Sequence, residues 1–356
     1  MTRRENFISL IRRKGYEYVP VEFVLCPSLQ EQIKERFGTD DYEDYFGFPW
    51  TKIEDIRLKN HDTEKYRSFF NPPLAENGDI DQWGVGHEHS PNSMHMTYMR
   101  HPLENAECLE DLQAYPFPDF ANGYKEHQKE QVEDAKKHDL VALGDMQITL
   151  WEISWYLRGM EELFCDMMEG NEIAEFMFDK ALEMAQIRAE SYVNAGVDAL
   201  FFGDDIGMQH TIMMSENLYC EWIKPRLKAL IDHVKAINPE VIIFYHSCGF
   251  IEPFIPHLID AGVDVLNPIQ SECMDFKEIY NKYGDRLSFH GTIGTQTVMP
   301  FGTPEEVKTA VWKNLDIAGE KGGLMVAPTH MLEPEVPIEN ILAYVEACHE
   351  YKVRRR

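Results

Sequence analysis

The sequence predicts an α/β protein built as a single (β/α)₈ barrel over residues 1–356, with an irregular N-terminal elaboration. From residue 139 onward, short apolar runs alternate with long helix-like segments. The runs are continuously apolar rather than alternating, which is typical of parallel strands that are buried on both faces. Repeated strand–helix units predict a parallel sheet, and the length of 356 residues suits one barrel domain.

The predicted barrel elements can be placed from these runs. The strand-like runs occupy residues 139–145, 198–205, 241–248, 263–270, 287–294 and 323–330. Between them lie helix-like segments at 151–169, 172–195, 215–237, 251–261, 275–283, 303–319 and 337–351. Thr303, Pro304 and Glu306 form the pattern of a capping box and mark one helix start. An open doubly wound sheet is the alternative fold, but no G-x-G-x-x-G follows a strand to support its dinucleotide-binding form.

The N-terminal part of the chain is less regular. Residues 4–14 and 28–37 predict helices, the second of them ended by Gly38, and residues 18–24 predict a strand. Residues 38–135 are rich in Asp, Gly, Pro and aromatic residues. We expect this stretch to form loops and short strands that cover one end of the barrel.

Charge and cysteine content exclude several classes of function. The formal net charge is −27, which repels nucleic acid and anionic membrane surfaces. The seven cysteines contain no C-x-x-C pair, so we expect a reducing compartment and a cytoplasmic location. The N-terminus leads into no long apolar run, and no apolar stretch reaches 18 residues, so we expect neither a signal peptide nor a membrane span.

Polar residues gather at the ends of the six strand-like runs. In chain order they are Asp145, Asp204, Asp205, His246, Cys248, Asn267, Gln270, His290 and His330. In a barrel, the carboxyl ends of the strands meet at one mouth, where catalytic residues lie. The pattern therefore predicts one active site, centred on His246 and Cys248.

The segment His246-Ser247-Cys248 is the most specific feature. Residues two apart on an extended segment point the same way, so an imidazole and a thiolate can reach one metal ion. Zinc binds nitrogen and sulfur ligands, and catalytic zinc keeps one position open. His330 is the expected third ligand, with Asp204, Asp205 and His290 as alternatives and Cys273 as a weaker one. The competing interpretation is a buried cysteine beside a hydrogen-bonded histidine.

These motifs resemble the uroporphyrinogen decarboxylase superfamily, whose members share a (β/α)₈ barrel. The resemblance is densest from 144 to 347. It rests on five segments: Trp155-Tyr156-Leu157-Arg158-Gly159-Met160, Gly203-Asp204-Asp205-Ile206-Gly207, Tyr245-His246-Ser247-Cys248-Gly249, Gly262-Val263-Asp264-Val265-Leu266-Asn267-Pro268-Ile269-Gln270 and Ala327-Pro328-Thr329-His330.

The superfamily that the chain resembles has two branches. True decarboxylases are metal-free and hold substrate carboxylates with an arginine-rich segment after the first strand, but residues 21–28 of this chain contain no Arg. The cobamide-dependent methyltransferases include coenzyme M enzymes with zinc on a His-x-Cys pair and a later Cys. His246 and Cys248 match the pair, and His330 stands where the later Cys would be.

The resemblance to the second branch implies zinc-dependent methyl transfer between a corrinoid and a small-molecule donor or thiol acceptor. Asp204 or Asp205 would orient a ligand histidine or act as an acid or base. Four residues would hold polar groups of the substrate: Asn267, Gln270, His290 and Asp145. The corrinoid would be a co-substrate, carried by a partner protein, and the enzyme would be a homodimer.

Two alternatives stay open at this stage. The first is a metal-free decarboxylase or lyase of the same fold that acts on a small non-porphyrin substrate and uses Asp204 or Asp205 as its acid–base group. The second is a non-catalytic corrinoid or small-ligand binder, which would bind a ligand without turnover and which a closed, apolar mouth would favour.

Overall fold

Alternating strands and helices build the chain, as the sequence predicts. A computed structural model describes residues 1–60, 62–89 and 97–354. The α-helices are α1 (Arg3–Ile11), α2 (Pro27–Phe37), α3 (Tyr42–Phe46), α4 (Leu109–Gln113), α5 (Glu126–Lys137), α6 (Trp151–Arg158), α7 (Met160–Glu169), α8 (Glu172–Ala195), α9 (Glu216–Trp222), α10 (Lys224–Ile237), α11 (Ile255–Ala261), α12 (Phe276–Tyr283), α13 (Val298–Phe301), α14 (Pro304–Ala318) and α15 (Ile338–Arg354).

One parallel sheet forms the centre of the fold. Its seven strands lie in the order β1-β5-β6-β7-β8-β9-β10, and every neighbouring pair is parallel. They are β1 (Trp50–Ile53), β5 (Val141–Gln147), β6 (Ala199–Gly203), β7 (Ile242–His246), β8 (Val265–Asn267), β9 (Ser288–His290) and β10 (Leu324–Met325). Each of the six apolar runs therefore contains a strand, and the predicted parallel α/β class is confirmed.

In the described residues, the strands form a seven-stranded sheet that does not close into the predicted eight-stranded barrel. Residues 18–24 form no ladder strand, and only Leu25 pairs, through a single parallel bridge to Leu332. Strand β1 instead comes from residues 38–135, which we expected to supply only a cap. Its sequence, WTKI, is short and carries a lysine, so it lacks the continuous apolar run of a buried strand.

The remainder of that N-terminal region carries a second, smaller sheet. It is antiparallel and three-stranded, in the order β2-β3-β4. Its strands are β2 (Asp79–Ile80), β3 (Gly86–His89) and β4 (Thr97–Arg100). This part matches the expected loops and short strands.

Local signals in the sequence account for the helix ends. Asn171 caps α8 by accepting from the main-chain N–H groups of Ile173 and Ala174, and Thr303 and Glu306 form the predicted capping box of α14. Gly38 ends α2 in the left-handed conformation, as predicted. No helix of the described ranges is long and apolar enough to cross a membrane.

Candidate active site

Three potential ligand groups meet beyond the carboxyl ends of β6 and β7. The Cys248 Sγ lies 3.6 Å from the His246 Nε2, and that nitrogen lies 3.5 Å from Asp205 Oδ1. One ligand atom from each of the three residues lies within 4.8 Å of the other two. The Cys248 main-chain N–H also donates to Asp205 Oδ1 over 2.7 Å, so the backbone orients this carboxylate.

Strand register brings these residues together. Gly203 ends β6 opposite His246, which ends β7, so the residues that follow both strands emerge side by side. A Cβ at position 203 would lie 2.6 Å from the His246 Cβ, which is too close for any residue but glycine. Gly249 takes a φ of +85° directly after Cys248 and lies against the Gly207–Met208 backbone. Both glycines therefore permit the close approach of the two chain segments on which the site depends.

His246 is held from its other ring nitrogen. Its Nδ1 lies 2.6 Å from Asn267 Oδ1. The Asn267 Nδ2 lies 2.8 Å from His290 Nδ1 and 3.0 Å from the His290 main-chain oxygen. The His290 Nε2 in turn lies 2.9 Å from Glu22 Oε2. These contacts occupy Asn267 and His290, which the sequence predicted to bind substrate.

Asp204 is buried and accepts hydrogen bonds from the start of α6. Its side chain is fully buried and accepts from the main-chain N–H groups of Thr149, Leu150 and Glu152 over 2.9–3.1 Å. Burial raises the pKa of Asp204 to about 7, and the backbone donors oppose this rise. The position is that of a buried helix cap, and the main-chain donors at the start of α6 occupy the Asp204 carboxylate.

Glu152 is a candidate residue that sequence reasoning missed. Burial, followed by the charges of Asp204 and Asp205, raises the pKa of Glu152 to about 8. The Tyr156 hydroxyl donates to its Oε1 over 2.8 Å. Aromatic residues dominate the sequence of this helix, so its acidic residue does not stand out. The available signal was an acidic residue in the first turn of the helix that follows β5.

Burial also shifts the pKa values of the two H-x-C side chains. Burial raises the pKa of the Cys248 thiol, and the charges of Asp205 and Glu152 add to this rise. Burial lowers the pKa of His246, although the Asp205 charge opposes the change. A divalent cation would reverse the thiol shift, because it stabilises the thiolate and offsets the carboxylate charge.

The donor set and its spacing fit zinc. The ligand atoms of tetrahedral zinc lie roughly 3.3–3.6 Å apart, given Zn–N and Zn–O distances of about 2.0–2.1 Å and Zn–S of about 2.3 Å. The separations at His246 Nε2 are 3.5 Å to Asp205 and 3.6 Å to Cys248. Three protein ligands of this kind would leave the fourth position to a substrate, as in catalytic zinc sites.

Two cavities flank this group of residues. The outer cavity has a volume of about 590 Å³ and is lined in part by Asp205, Cys248 and Gln270. The inner cavity, of about 320 Å³, is lined in part by His246 and Asp145. Residues 329–331 line both, so the candidate ligands lie between the two spaces.

The inner cavity contains an ion pair that the sequence did not reveal. The Lys52 Nζ lies 2.7 Å from Asp145 Oδ2. Lys52 is on β1, the strand that sequence analysis missed, so its place beside Asp145 could not be foreseen. Apolar walls around this pair come from Trp50, Leu143 and Phe201.

The remaining predicted residues lie at the outer cavity. Gln270 is buried and accepts from the Gly249 main-chain N–H over 2.9 Å, which fixes the turn after Cys248. His330 is exposed and lines both cavities, but it lies outside the 4.8 Å group found in the described ranges. The physical reason is that β10 ends at Met325, so His330 comes five residues beyond its strand, whereas Asp205 comes two residues beyond β6.

A match to a protein-family model shows the family of this chain. A family model described as Uroporphyrinogen decarboxylase (URO-D) matches residues 92–351. The chain belongs to this family. The predicted resemblance to the URO-D superfamily is thereby confirmed.

Curated relatives of this URO-D protein include both branches. It is 24% identical over 212 residues to a methylated-thiol–coenzyme M methyltransferase of Methanosarcina mazei, an alignment that covers 57% of this chain and 52% of the relative. It is 25% identical over 179 residues to the methylcobamide:CoM methyltransferase MtaA of Methanosarcina barkeri, covering 49% of each. It is 22% identical over 211 residues to a uroporphyrinogen decarboxylase of Methylococcus capsulatus, covering 56% and 57%. The chain thus spans about half the length of the curated relatives it matches.

A solved structure supports the fold over the whole chain. A methyltransferase from Methanosarcina mazei superimposes with a TM-score of 0.67 and 16% sequence identity, covering 99% of both chains. At this identity the likeness concerns the fold. Because the relatives are named for methyl transfer or decarboxylation, the prediction of an enzyme of the URO-D superfamily is confirmed at that level.

Proposed function

We propose that this URO-D protein transfers a methyl group between a corrinoid and a small-molecule donor or thiol acceptor, with zinc held by Asp205, His246 and Cys248. The observation that carries the proposal is the N, O and S donor set within 4.8 Å, at the boundary of two cavities. Asp205 takes the place of third ligand, for which the sequence pattern favoured His330. The methyltransferases among the relatives support the same branch.

The chain's own residues would prepare a substrate thiol for reaction. Bound zinc would supply the Lewis acidity that favours a thiolate at neutral pH. The Cys248 main-chain N–H would keep Asp205 oriented, and Asn267 would keep His246 oriented. Glu152 would accept the proton that leaves the thiol, because a bound cation would offset the neighbouring carboxylate charges that help to keep Glu152 protonated in the metal-free protein.

The two cavities suit two reactants of different size. A corrin macrocycle is far larger than the inner cavity, so we assign the corrinoid to the outer one. There Phe301 and Met208, which are 78% and 52% exposed, offer apolar contact to a flat ring. A small methyl donor or thiol would occupy the inner cavity, between His246 and the Lys52–Asp145 pair.

The eighth position of the barrel belongs to this proposal as well. We assign it to residues 19–25, which lie beside the segment that follows β10. The Cys26 main-chain N–H donates to the Leu332 oxygen over 3.0 Å, and the Leu332 N–H donates to the Val24 oxygen over 2.8 Å. This segment carries Glu22 into the inner cavity.

Metal content tests the proposal first. Protein purified without chelator should hold about one zinc per chain by elemental mass spectrometry, and Cys248→Ala should lose it. Cys273→Ala is the matched control, because this cysteine is also partly buried and near the site. Zinc retained by Cys248→Ala, together with undiminished methyl transfer from methylcobalamin to thiols, would refute the zinc mechanism.

A metal-free lyase is the second candidate, and one observation favours it. Glu152, with a pKa of about 8, is a protonated acid at neutral pH beside Asp205. A porphyrin substrate is disfavoured because no arginine lines either cavity among the described residues. Turnover that persists in excess chelator would support the lyase. The open mouth lined by polar groups does not favour the third possibility, a non-catalytic binder.

A further inference from the structure

A buried row of side chains leads from the N-terminal segment to His246. It consists of Glu22, His290 and Asn267, which come from residues 19–25, β9 and β8 in turn. All three are at least nine-tenths buried. We call these three residues the relay.

A main-chain oxygen fixes the direction of every hydrogen bond in the row. The His290 carbonyl can only accept, so the Asn267 atom 3.0 Å away must be the amide nitrogen. The Asn267 oxygen then faces His246 Nδ1 at 2.6 Å, and this nitrogen must carry the proton. A flipped amide would place two oxygens 3.0 Å apart with no hydrogen between them.

The same logic assigns the proton on His290. The second Asn267 N–H points to His290 Nδ1 over 2.8 Å, so this ring nitrogen accepts. The His290 proton therefore lies on Nε2 and is donated to Glu22 Oε2 over 2.9 Å. Each contact along the row thus joins one donor to one acceptor, which is what a buried polar network needs to specify one arrangement.

We infer that the relay sets the tautomer of His246, so that its Nε2 presents a lone pair toward Cys248 and Asp205 before any metal binds. This gives Asn267 and His290 a positioning function instead of the predicted contact with substrate, and it gives Glu22 a role that the sequence did not predict. The role that we give to this tautomer rests on the proposed function, because a histidine needs a lone pair on Nε2 to bind a metal through that nitrogen. The tautomer itself is a property of the metal-free protein.

Nitrogen-15 NMR of the metal-free protein tests the tautomer directly. His246 should carry its proton on Nδ1, with the signal identified by its loss in His246→Gln. Asn267→Leu removes the acceptor and should move the proton to Nε2. Asn267→Asp keeps an acceptor at the same place and should keep the Nδ1 proton. A wild-type proton on Nε2, or an unchanged tautomer in Asn267→Leu, would overturn the inference.

Metal affinity provides the second readout. Competition with a chelator should show zinc binding weakened about 10- to 100-fold in Asn267→Leu, the usual effect of losing such a partner. Glu22→Gln still accepts from His290 and should weaken binding less than tenfold. Glu190→Gln is the matched control, because it removes a carboxylate that lies 3.0 Å from a partly exposed histidine, His233. This substitution should change nothing at His246.

These readouts separate the relay from the proposed function. A wild-type protein with the Nδ1 proton on His246 that binds no zinc would refute the zinc proposal and leave the relay in place. Zinc bound at full strength by Asn267→Leu would refute the relay and leave the zinc proposal in place. A thermal unfolding transition in each variant confirms that the measurements concern folded protein.

Discussion

Replacing Glu152 by Gln should make the metal-free protein more stable at alkaline pH. The carboxyl group is mostly buried beside Asp204 and Asp205, which raises its pKa from 4.5 to about 8. The folded state therefore binds this proton more tightly than the unfolded state does. Between about pH 4.5 and pH 8, unfolding releases the proton, so stability falls as the pH rises.

The size of the effect follows from the same pKa. Each tenfold change in proton affinity is worth about 1.4 kcal/mol, so the full difference corresponds to about 5 kcal/mol at pH 9. We expect about 2–4 kcal/mol, because relaxation of the surroundings and water penetration reduce the cost of a buried charge. Gln keeps an acceptor for the Tyr156 hydroxyl, so the substitution removes the charge and little else.

Urea unfolding in the presence of chelator measures this difference. The free energy of unfolding of Glu152→Gln should exceed that of the wild type at pH 9 and approach it at pH 5. The control is Glu161→Gln, an exposed position on α7, which should show no such pH dependence. Added zinc should narrow the gap at pH 9, because a cation offsets the carboxylate charge. An equal stability difference at pH 5 and pH 9 would refute the reasoning.

Three further predictions concern the surroundings of the site. Asp204→Asn should lower the free energy of unfolding by about 1–3 kcal/mol in urea titrations, because an amide oxygen cannot satisfy all the main-chain donors at the start of α6. Arg158→Met should cost about 3–5 kcal/mol in the same assay, since it leaves the buried Asp166 carboxylate unpaired at a contact of 2.8 Å. Phe301→Ser should raise the KM for methylcobalamin without changing zinc content, whereas the equally exposed Met168→Ser on α7 should change neither.

The strands and the H-x-C pair could be predicted because each depends on local sequence. Burial on both faces makes a parallel strand a mostly apolar run, and β5 to β8 and β10 follow this rule, whereas β9 carries buried Ser288 and His290. The carboxyl ends of parallel strands meet, so the positions of Asp205, His246 and Cys248 at one mouth followed from the runs alone. The choice between Asp205 and His330 as the third ligand could not be predicted from the runs, because it depends on how far each strand extends before its loop begins.

Other parts of the site depend on contacts between distant segments. Glu22 reaches His290 across 268 positions of the chain, and Lys52 reaches Asp145 from a strand with no clear pattern. The pKa of Glu152 depends on burial beneath two other carboxyl groups, which its own helix does not reveal. Such features arise from packing, and no spacing rule in the sequence encodes them.

The position of the candidate centre between two cavities bears on the chemistry itself. Direct displacement at a methyl carbon requires the nucleophile and the leaving group on opposite sides of that carbon. Here Cys248 and Asp205 line the outer cavity while His246 lines the inner one. In the proposed function, a thiol in the inner cavity and a methyl group in the outer cavity would approach the candidate ligands from separate spaces. A single closed pocket would instead force both reactants to share one volume, so the divided mouth favours transfer between two substrates over a reaction of one substrate alone.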